Sequence, residues 1–214
     1  MEDIHEGKEE TKDRLLDEAE RLFADKGFPA VSVREITSAA KTNQAAVNYH
    51  FGGKKNLYLE VFRSRWIPRA SSMLSPRLEE LKGREDVSAD QVVRVLARSI
   101  LDAPLSDEES LRHGRLITRE FVQPTEALEL VAKHHMTPMI ERAGRLLAGT
   151  LEQNVSKERI VLYILSIIAQ GIYFSNARMP VSRLLAKEYN AEMIARLVDH
   201  ITDFALHGLK SLKG

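Results

Sequence analysis

The chain has 214 residues, of which 43% are hydrophobic and 29% are charged. This balance is typical of a globular protein, and the length allows one large domain or two smaller ones. Lysine and arginine total 31, as do aspartate and glutamate, so the chain does not bind nucleic acid through net charge alone. The absence of cysteine excludes disulfides, thiolate zinc sites and cysteine nucleophiles.

The first ten residues are acidic and polar, without the basic start and apolar core of a signal peptide. We expect residues 1–10 to form a mobile tail. The longest apolar stretch, residues 160–174, is shorter than the roughly 20 apolar residues that a bilayer requires. The sequence therefore predicts a cytoplasmic protein with no membrane partner.

Helical spacing of the apolar residues, without sustained alternation, predicts an all-α fold. A first helix is expected over residues 11–26, ending at Gly27. Ser32 and Glu35 have the spacing of a capping box for a short helix over residues 33–40.

A three-residue turn then leads to Asn43, which can cap a third helix over residues 44–51. A fourth helix is predicted over residues 54–66, and Pro68 indicates a new helix start. Residues 179–189 are predicted to form a loop with a helical turn. The remaining predicted helices cover residues 68–81, 89–101, 107–122, 124–134, 138–153, 157–176 and 191–209.

Three short helices with a three-residue turn between the second and the third match the helix-turn-helix plan. In this plan the third helix lies in the major groove of DNA. Val47 and Phe51, four residues apart, can anchor its inner face. Its other faces carry Gln44, Ala45, Asn48 and Tyr49. Gln and Asn can bond adenine in a bidentate way, and Ala can touch a thymine methyl group.

Residues 11–62 closely resemble the N-terminal DNA-binding domain of the TetR family of transcriptional regulators. The resemblance rests on Ala19, Leu22, Phe23, Gly27, Phe28, Val31, Ser32, Val33, Ile36, Ala39, Ala40, Ala46, Val47, Asn48, Tyr49, His50, Phe51, Lys54 and Leu57. In the turn, Lys41 stands where the family usually has Gly, which costs strain if the backbone φ is positive there.

The resemblance implies a role for each position that faces DNA. Base edges would be read by Gln44, Ala45, Ala46 and Asn48. Phosphates would be contacted by Tyr49, His50 and Lys54. Thr42 and Asn43 would lie at the entrance of the groove, and Ser32 and Arg34 would hold the DNA backbone. Residues 1–31 contain 5 basic and 10 acidic residues, so we expect the first helix to face away from DNA.

Residues 63–214 are expected to form a helical effector-binding and dimerisation domain. Within it, residues 118–125, Thr137 and Pro138, and residues 166–178 resemble the CecR-like subgroup of the same family. In the family, the last two long helices form a four-helix bundle across the dimer axis, and the dimer reads a palindromic operator. Residues 157–176 are apolar nearly all round, and residues 191–209 carry an apolar stripe. The alternative is that both helices serve only as a core within the subunit.

The family also implies a cavity for a small-molecule effector among the middle helices. Candidate lining residues are Phe62, Trp66, Arg119, Glu120, Phe121, Met136, Met139 and Tyr173. The alternative for each is an ordinary core position, and for Arg119 and Glu120 it is pairing with nearby groups. Most members of the family are repressors that their ligand releases, and we expect the same here.

Two other classes of function are alternatives to a regulator. The sequence has no Gly-rich phosphate loop, no His-Glu-x-x-His motif and no nucleophile elbow, so we expect no enzyme, cofactor or metal site. An all-helical interaction module that has lost DNA binding is the second alternative. The intact Tyr49, His50 and Lys54 argue against it.

Overall fold

A computed structural model describes residues 2–82, 84, 86–151 and 155–210. Helices and turns account for their regular structure, and no strand occurs within these ranges, so the all-α prediction is confirmed. The chain divides into two compact units. Unit 1 contains Met1–Arg69 and Leu111–Ala132, and unit 2 contains Ala70–Ser110 and Lys133–Gly214. Unit 1 thus combines the predicted DNA-binding residues 11–62 with a segment from later in the chain.

The helices follow one another in chain order, with a π-helical turn at two places. They are α1 Glu2–Lys26, α2 Val33–Ala39, α3 Gln44–Phe51, α4 Lys54–Val61, a π turn Phe62–Trp66, α5 Ile67–Leu81, α6 Ala89–Leu101, α7 Asp107–Val122, α8 Glu126–Val131, a π turn Ala132–Met136, α9 Thr137–Gly149, α10 Lys157–Asn176, α11 Arg178–Leu185 and α12 Ala191–Lys210. The bounds of α3, α6, α7 and α10 coincide with the predicted ones.

Helix α1 begins at Glu2, so the expected tail at residues 1–10 is helical over the part that the structure describes. Ion pairs one turn apart support this polar extension. Lys12 lies 3.7 Å from Glu9, and Arg14 lies 3.9 Å from Glu10. The predicted start of the first helix at residue 11 was wrong because it followed apolar periodicity alone, whereas acidic residues also favour the start of a helix.

The expected break at Pro68 is wrong, because α4, the first π turn and α5 follow one another without interruption. A proline inside a helix lacks an N–H and crowds the carbonyl four residues earlier. For Pro68 that residue is Ser64, which lies in the π turn, where the Ile67 N–H reaches back to the Phe62 carbonyl. The wider turn therefore accommodates the ring. Pro138 stands in the same relation to the second π turn.

Three further bounds differ from the sequence pattern. Thr125 caps α8, so Pro124 precedes the helix instead of opening it. Helix α9 ends at Gly149, and the last two residues predicted for it lie outside the described part of the chain. Most of the expected loop over residues 179–189 is helix α11, Arg178–Leu185. The helix is followed by its C-cap Ala186, which has a φ of +50°.

Unit 2 is organised around α6, which packs against both α10 and α12. Ser88 and Gln91 form a complete capping box at the start of α6. The approach of α10 to α6 is tight, since a Cβ on Gly171 would lie 3.0 Å from the side chain of Ile100. The buried core contains Val92, Val93, Leu96, Ile164, Ile167, Leu197, Val198 and Ile201.

The turn between α2 and α3 holds Lys41 at a φ of +53°. The N–H groups of Lys41 and Thr42 bond the carbonyls of Ser38 and Thr37 at 3.3 and 2.9 Å, which closes the end of α2. The strain anticipated for a side chain at this position is therefore present, since left-handed backbone is costly for residues other than glycine.

We expect Lys41→Gly to raise the free energy of unfolding by about 0.5–1 kcal/mol, because glycine adopts a positive φ without steric cost. Urea denaturation measures this change. The control is Lys41→Ala, which removes the same charge but retains a Cβ and so keeps the strain. Equal stabilisation by both substitutions would show that charge, and not backbone conformation, is responsible.

Candidate nucleic-acid interface

Two side-chain caps fix the helix-turn-helix segment. The Ser32 hydroxyl accepts a hydrogen bond from the Glu35 N–H at 3.1 Å, and the Asn43 side chain accepts one from the Ala46 N–H at 3.0 Å. Both predicted caps are thus observed. The reciprocal half of the predicted capping box is absent, because the Glu35 carboxylate pairs with Lys26 instead. That pair lowers the pKa of Glu35.

Helix α3 presents two different faces. Val47 and Phe51 are buried against the rest of unit 1, as predicted. The opposite faces carry exposed Gln44, Ala45, Asn48 and Tyr49, with Ala46 and His50 half-exposed. Tyr49 is 69% exposed, which is unusual for a large aromatic side chain and leaves its ring and hydroxyl available to a partner.

The flanking candidates also lie at the surface of unit 1. Asn43 is exposed and Thr42 is half-exposed at the start of α3, and Ser32 and Arg34 are exposed at the start of α2. The Asn43 and Ser32 side chains already act as caps, so their remaining hydrogen-bonding capacity is what a ligand could use.

Lys54 has a less open setting than the other predicted phosphate contacts. Its ammonium lies 4.4 Å from the centroid of the Phe28 ring, in the range of a cation–π contact. Partial burial lowers the pKa of Lys54. The neighbouring Lys55 pairs with Glu126 at 2.6 Å.

Behind α3 and α4 lies an aromatic cluster of Phe23, Phe28, Tyr58 and Phe62. The Tyr58 ring stands edge-on to Phe23 at 4.9 Å and to Phe62 at 5.2 Å between centroids. Such edge-to-face pairs are a favoured aromatic geometry. The cluster packs α4 against α1 through apolar contacts. Helix α3 packs in turn against α4, so these contacts help to fix its position.

Glu120 joins this cluster to α7 and α8. Only 1% of the residue is exposed. The Tyr58 hydroxyl donates to its carboxylate at 2.5 Å, and the Thr125 N–H and hydroxyl donate at 2.9 Å. Burial and the bond to Glu120 raise the pKa of Tyr58, so the hydroxyl keeps its proton at neutral pH. Within unit 1, Glu120 is therefore a structural acceptor.

Arg119, its neighbour, binds the end of α1. Its guanidinium donates to the carbonyls of Ala24 at 3.0 Å and Asp25 at 2.7 Å. These carbonyls belong to the last turn of α1, where a cation is favoured. The contact is close, because a Cβ on Gly27 would come within 3.2 Å of the same guanidinium.

The other residues predicted to line an effector cavity have different surroundings. Phe62 and Trp66 are buried in unit 1, and the Trp66 indole donates to the His113 carbonyl at 2.9 Å. Phe121 is exposed in unit 1, and Tyr173 is exposed in unit 2. In the described part of the chain, no three His, Asp or Glu residues are grouped as metal ligands would be.

Helix α10 carries an exposed stripe formed by Leu162, Ser166, Ala169 and Tyr173, at spacings of four, three and four residues. Among the described helices, α10 is long and apolar enough by length and composition to cross a membrane, although one such helix is weak evidence. Only 28% of its apolar window is buried. On α12, Phe204 is 65% exposed.

Sequence reasoning missed three residues near the candidate interface. Tyr58 and Thr125 hold Glu120. Tyr58 lies 62 residues from Glu120 in the chain, so no local pattern predicts that contact, whereas Thr125 lies only five residues away. The third is Lys8, whose ammonium lies 5.7 Å from the centroid of the Tyr49 ring. The start of α1 therefore lies beside α3. The i, i+4 spacing of Lys8 and Lys12 was the available signal.

Two family models match the chain. Residues 15–61 match the model for bacterial regulatory proteins of the tetR family, and residues 89–209 match the model for the C-terminal domain of the HTH-type transcriptional dual regulator CecR. The first match covers the helix-turn-helix segment, and the second covers more than half of the chain.

Individual relatives match over nearly the full length. The chain is 26% identical to the transcriptional dual regulator CecR of Shigella flexneri, covering 94% of this chain and 93% of that protein. It is 27% identical to the transcriptional repressor NicS of Pseudomonas putida, covering 94% and 92%. Its fold resembles that of a TetR-like transcriptional regulator from Rhodococcus, with a TM-score of 0.64, 17% identity and coverage of 94% and 96%.

We expect Tyr58→Phe to lower the free energy of unfolding by about 1–3 kcal/mol, because the buried Glu120 carboxylate loses one of its donors. Chemical denaturation followed by circular dichroism measures this change. The matched control is Tyr173→Phe, which removes the same hydroxyl from an exposed ring and should leave the stability unchanged. A Tyr58 variant as stable as the wild type would show that Glu120 is satisfied without it.

Proposed function

Because the chain belongs to the TetR family of bacterial transcriptional regulators, we propose that it is a dimeric repressor that a small-molecule effector releases from a palindromic operator. The observation that carries the DNA-binding part is the exposed polar face of α3. Gln44 and Asn48 lie four residues apart on this face. The Asn43 cap fixes the start of the helix, and Val47 and Phe51 bury its opposite face.

Base reading is proposed for Gln44, Ala45, Ala46 and Asn48, which lie in the first two turns of α3. A recognition helix contacts base edges with its N-terminal residues, and amide side chains suit the N6 and N7 edge of adenine. Tyr49, His50 and Lys54 are proposed as phosphate contacts, and Ser32, Arg34, Thr42 and Asn43 as flanking contacts. The phosphate contacts set the orientation on the duplex without selecting its sequence.

The dimer is proposed to form through α10 and α12. The exposed stripe on α10 and the exposed Phe204 on α12 leave apolar surface that a second copy would cover. The opposite face of α10 packs closely on α6, so this helix has one side for the protomer and one for a partner. A two-fold dimer presents two α3 helices to two half-sites, which accounts for a palindrome.

Effector control is proposed on the strength of the family. Phe62, Trp66, Arg119, Glu120, Phe121 and Tyr173 remain the candidate lining residues. Arg119 and Glu120 hold the end of α1 and the side of α4, so a ligand that displaced them would change the support of α3. The relative NicS is named a transcriptional repressor, which supports a repressor here. The relative CecR is named a dual regulator. The protein is proposed to work in the cytoplasm.

We expect two substitutions on α3 to affect DNA binding differently. Gln44→Ala should weaken discrimination at one base pair of each half-site by about 1–3 kcal/mol, because a bidentate contact is lost. Tyr49→Ala should abolish binding to all duplexes without unfolding the protein, because Tyr49 is exposed. Titration of duplexes selected from a random pool, with single base changes, measures both effects. Full-strength binding by the Tyr49 variant would show that the assigned face is wrong.

We expect Leu162→Glu and Phe204→Glu to convert the dimer to monomer, since each places a charge in the proposed apolar contact. Sedimentation equilibrium measures the mass. The control is Val122→Glu, which makes the same kind of change at an exposed apolar residue of unit 1 and should remain dimeric. Dimers in all three variants would place the interface elsewhere.

A further inference from the structure

The start of α1 brings two lysines to the end of α3. The Lys8 ammonium lies 5.7 Å from the centroid of the Tyr49 ring. Lys12 lines a surface cleft together with His50. Residues four apart share one face of a helix, so both lysines lie on the same side of α1. Each is beside one of the two α3 residues that the proposed function assigns to phosphate contacts.

The charge of Lys8 is available to a ligand. The side chain is exposed, and it forms no ion pair with the described side chains from residue 9 onward. The adjacent acidic residues are paired with other partners, Glu9 with Lys12 and Glu10 with Arg14. An exposed cation–π contact contributes only about 0.5–1 kcal/mol. The Tyr49 ring therefore positions the Lys8 ammonium but leaves it able to bind an anion.

The charge of Lys12 is held weakly. Its distance to Glu9 is 3.7 Å, and the two side chains are 37% and 72% exposed. Exposed ion pairs of this kind contribute little to stability, so Lys12 can exchange Glu9 for a stronger anion. The carboxylate that lines the cleft, Glu60, is bound by Arg63 at 2.7 Å. The cleft therefore has no unpaired carboxylate that would hold Lys12.

We propose that Lys8 and Lys12 bind backbone phosphates of the duplex that α3 reads. The start of α1 would then extend the set of phosphate contacts proposed for Tyr49 and His50, despite the acidic composition of the helix as a whole. This inference rests on the proposed DNA-binding function and adds two residues to its site. A lysine binds a phosphate as a point charge and reads no base, so its contribution is the same for every sequence.

The test is the double variant Lys8→Ala/Lys12→Ala, titrated against a selected duplex and an unrelated duplex at several salt concentrations. Each lost phosphate contact should weaken binding roughly fivefold at 0.15 M salt, by counterion release. The slope of log affinity against log salt should fall by about one per lost contact, equally for both duplexes. The Lys8→Arg/Lys12→Arg variant should retain wild-type binding.

The charge-matched control is Lys133→Ala/Lys187→Ala, which removes two exposed lysines of unit 2 and should bind as the wild type does. Circular dichroism should show equal thermal stability for all variants. If the wild type selects a duplex and the double alanine variant binds it with the same affinity and slope, the inference is overturned and the proposed function stands. A loss confined to the selected duplex would indicate base reading and also overturn it. A wild type that prefers no duplex would remove both proposals.

Discussion

An eight-residue helix must be held by the protein around it, and this constraint shapes unit 1. Helix α3 is too short to be stable alone in water, where about 12–15 residues are marginal. It must also leave most of its surface polar and free. Its stability therefore comes from two buried side chains, Val47 and Phe51, and from the Asn43 cap. The residues that pack against Val47 and Phe51 therefore determine how firmly α3 is held.

The support reaches a distant part of the chain through Glu120. Its carboxylate lies between Tyr58 of α4 and Thr125 at the start of α8. Arg119, on the same helix, closes the end of α1. A buried carboxylate is costly unless it is hydrogen-bonded, so α4 and α7 are held in one arrangement as long as these bonds persist. This gives α7 a direct mechanical connection to the helices that carry α3.

Local features of the sequence predicted the elements that local physics determines. Asn43 predicts the start of α3 because its side chain replaces a missing backbone acceptor, and the apolar spacing predicts α6, α7 and α10. The π turns escaped prediction because Pro68 and Pro138 suggested helix starts, whereas a widened turn lies before each of them in a continuous helical stretch. The Tyr58–Glu120 bond and the Lys8–Tyr49 contact escaped it because they join residues that only the folded chain brings together.

The most direct test of a sequence-specific reader of DNA is the selection of duplexes from a random pool by the purified protein at two salt concentrations. We expect an enriched palindrome whose half-sites are separated by about one helical turn, bound with a steep salt dependence. Weak, salt-sensitive binding without any enriched sequence would contradict it, because the exposed face of α3 would then carry charge recognition but no base reading.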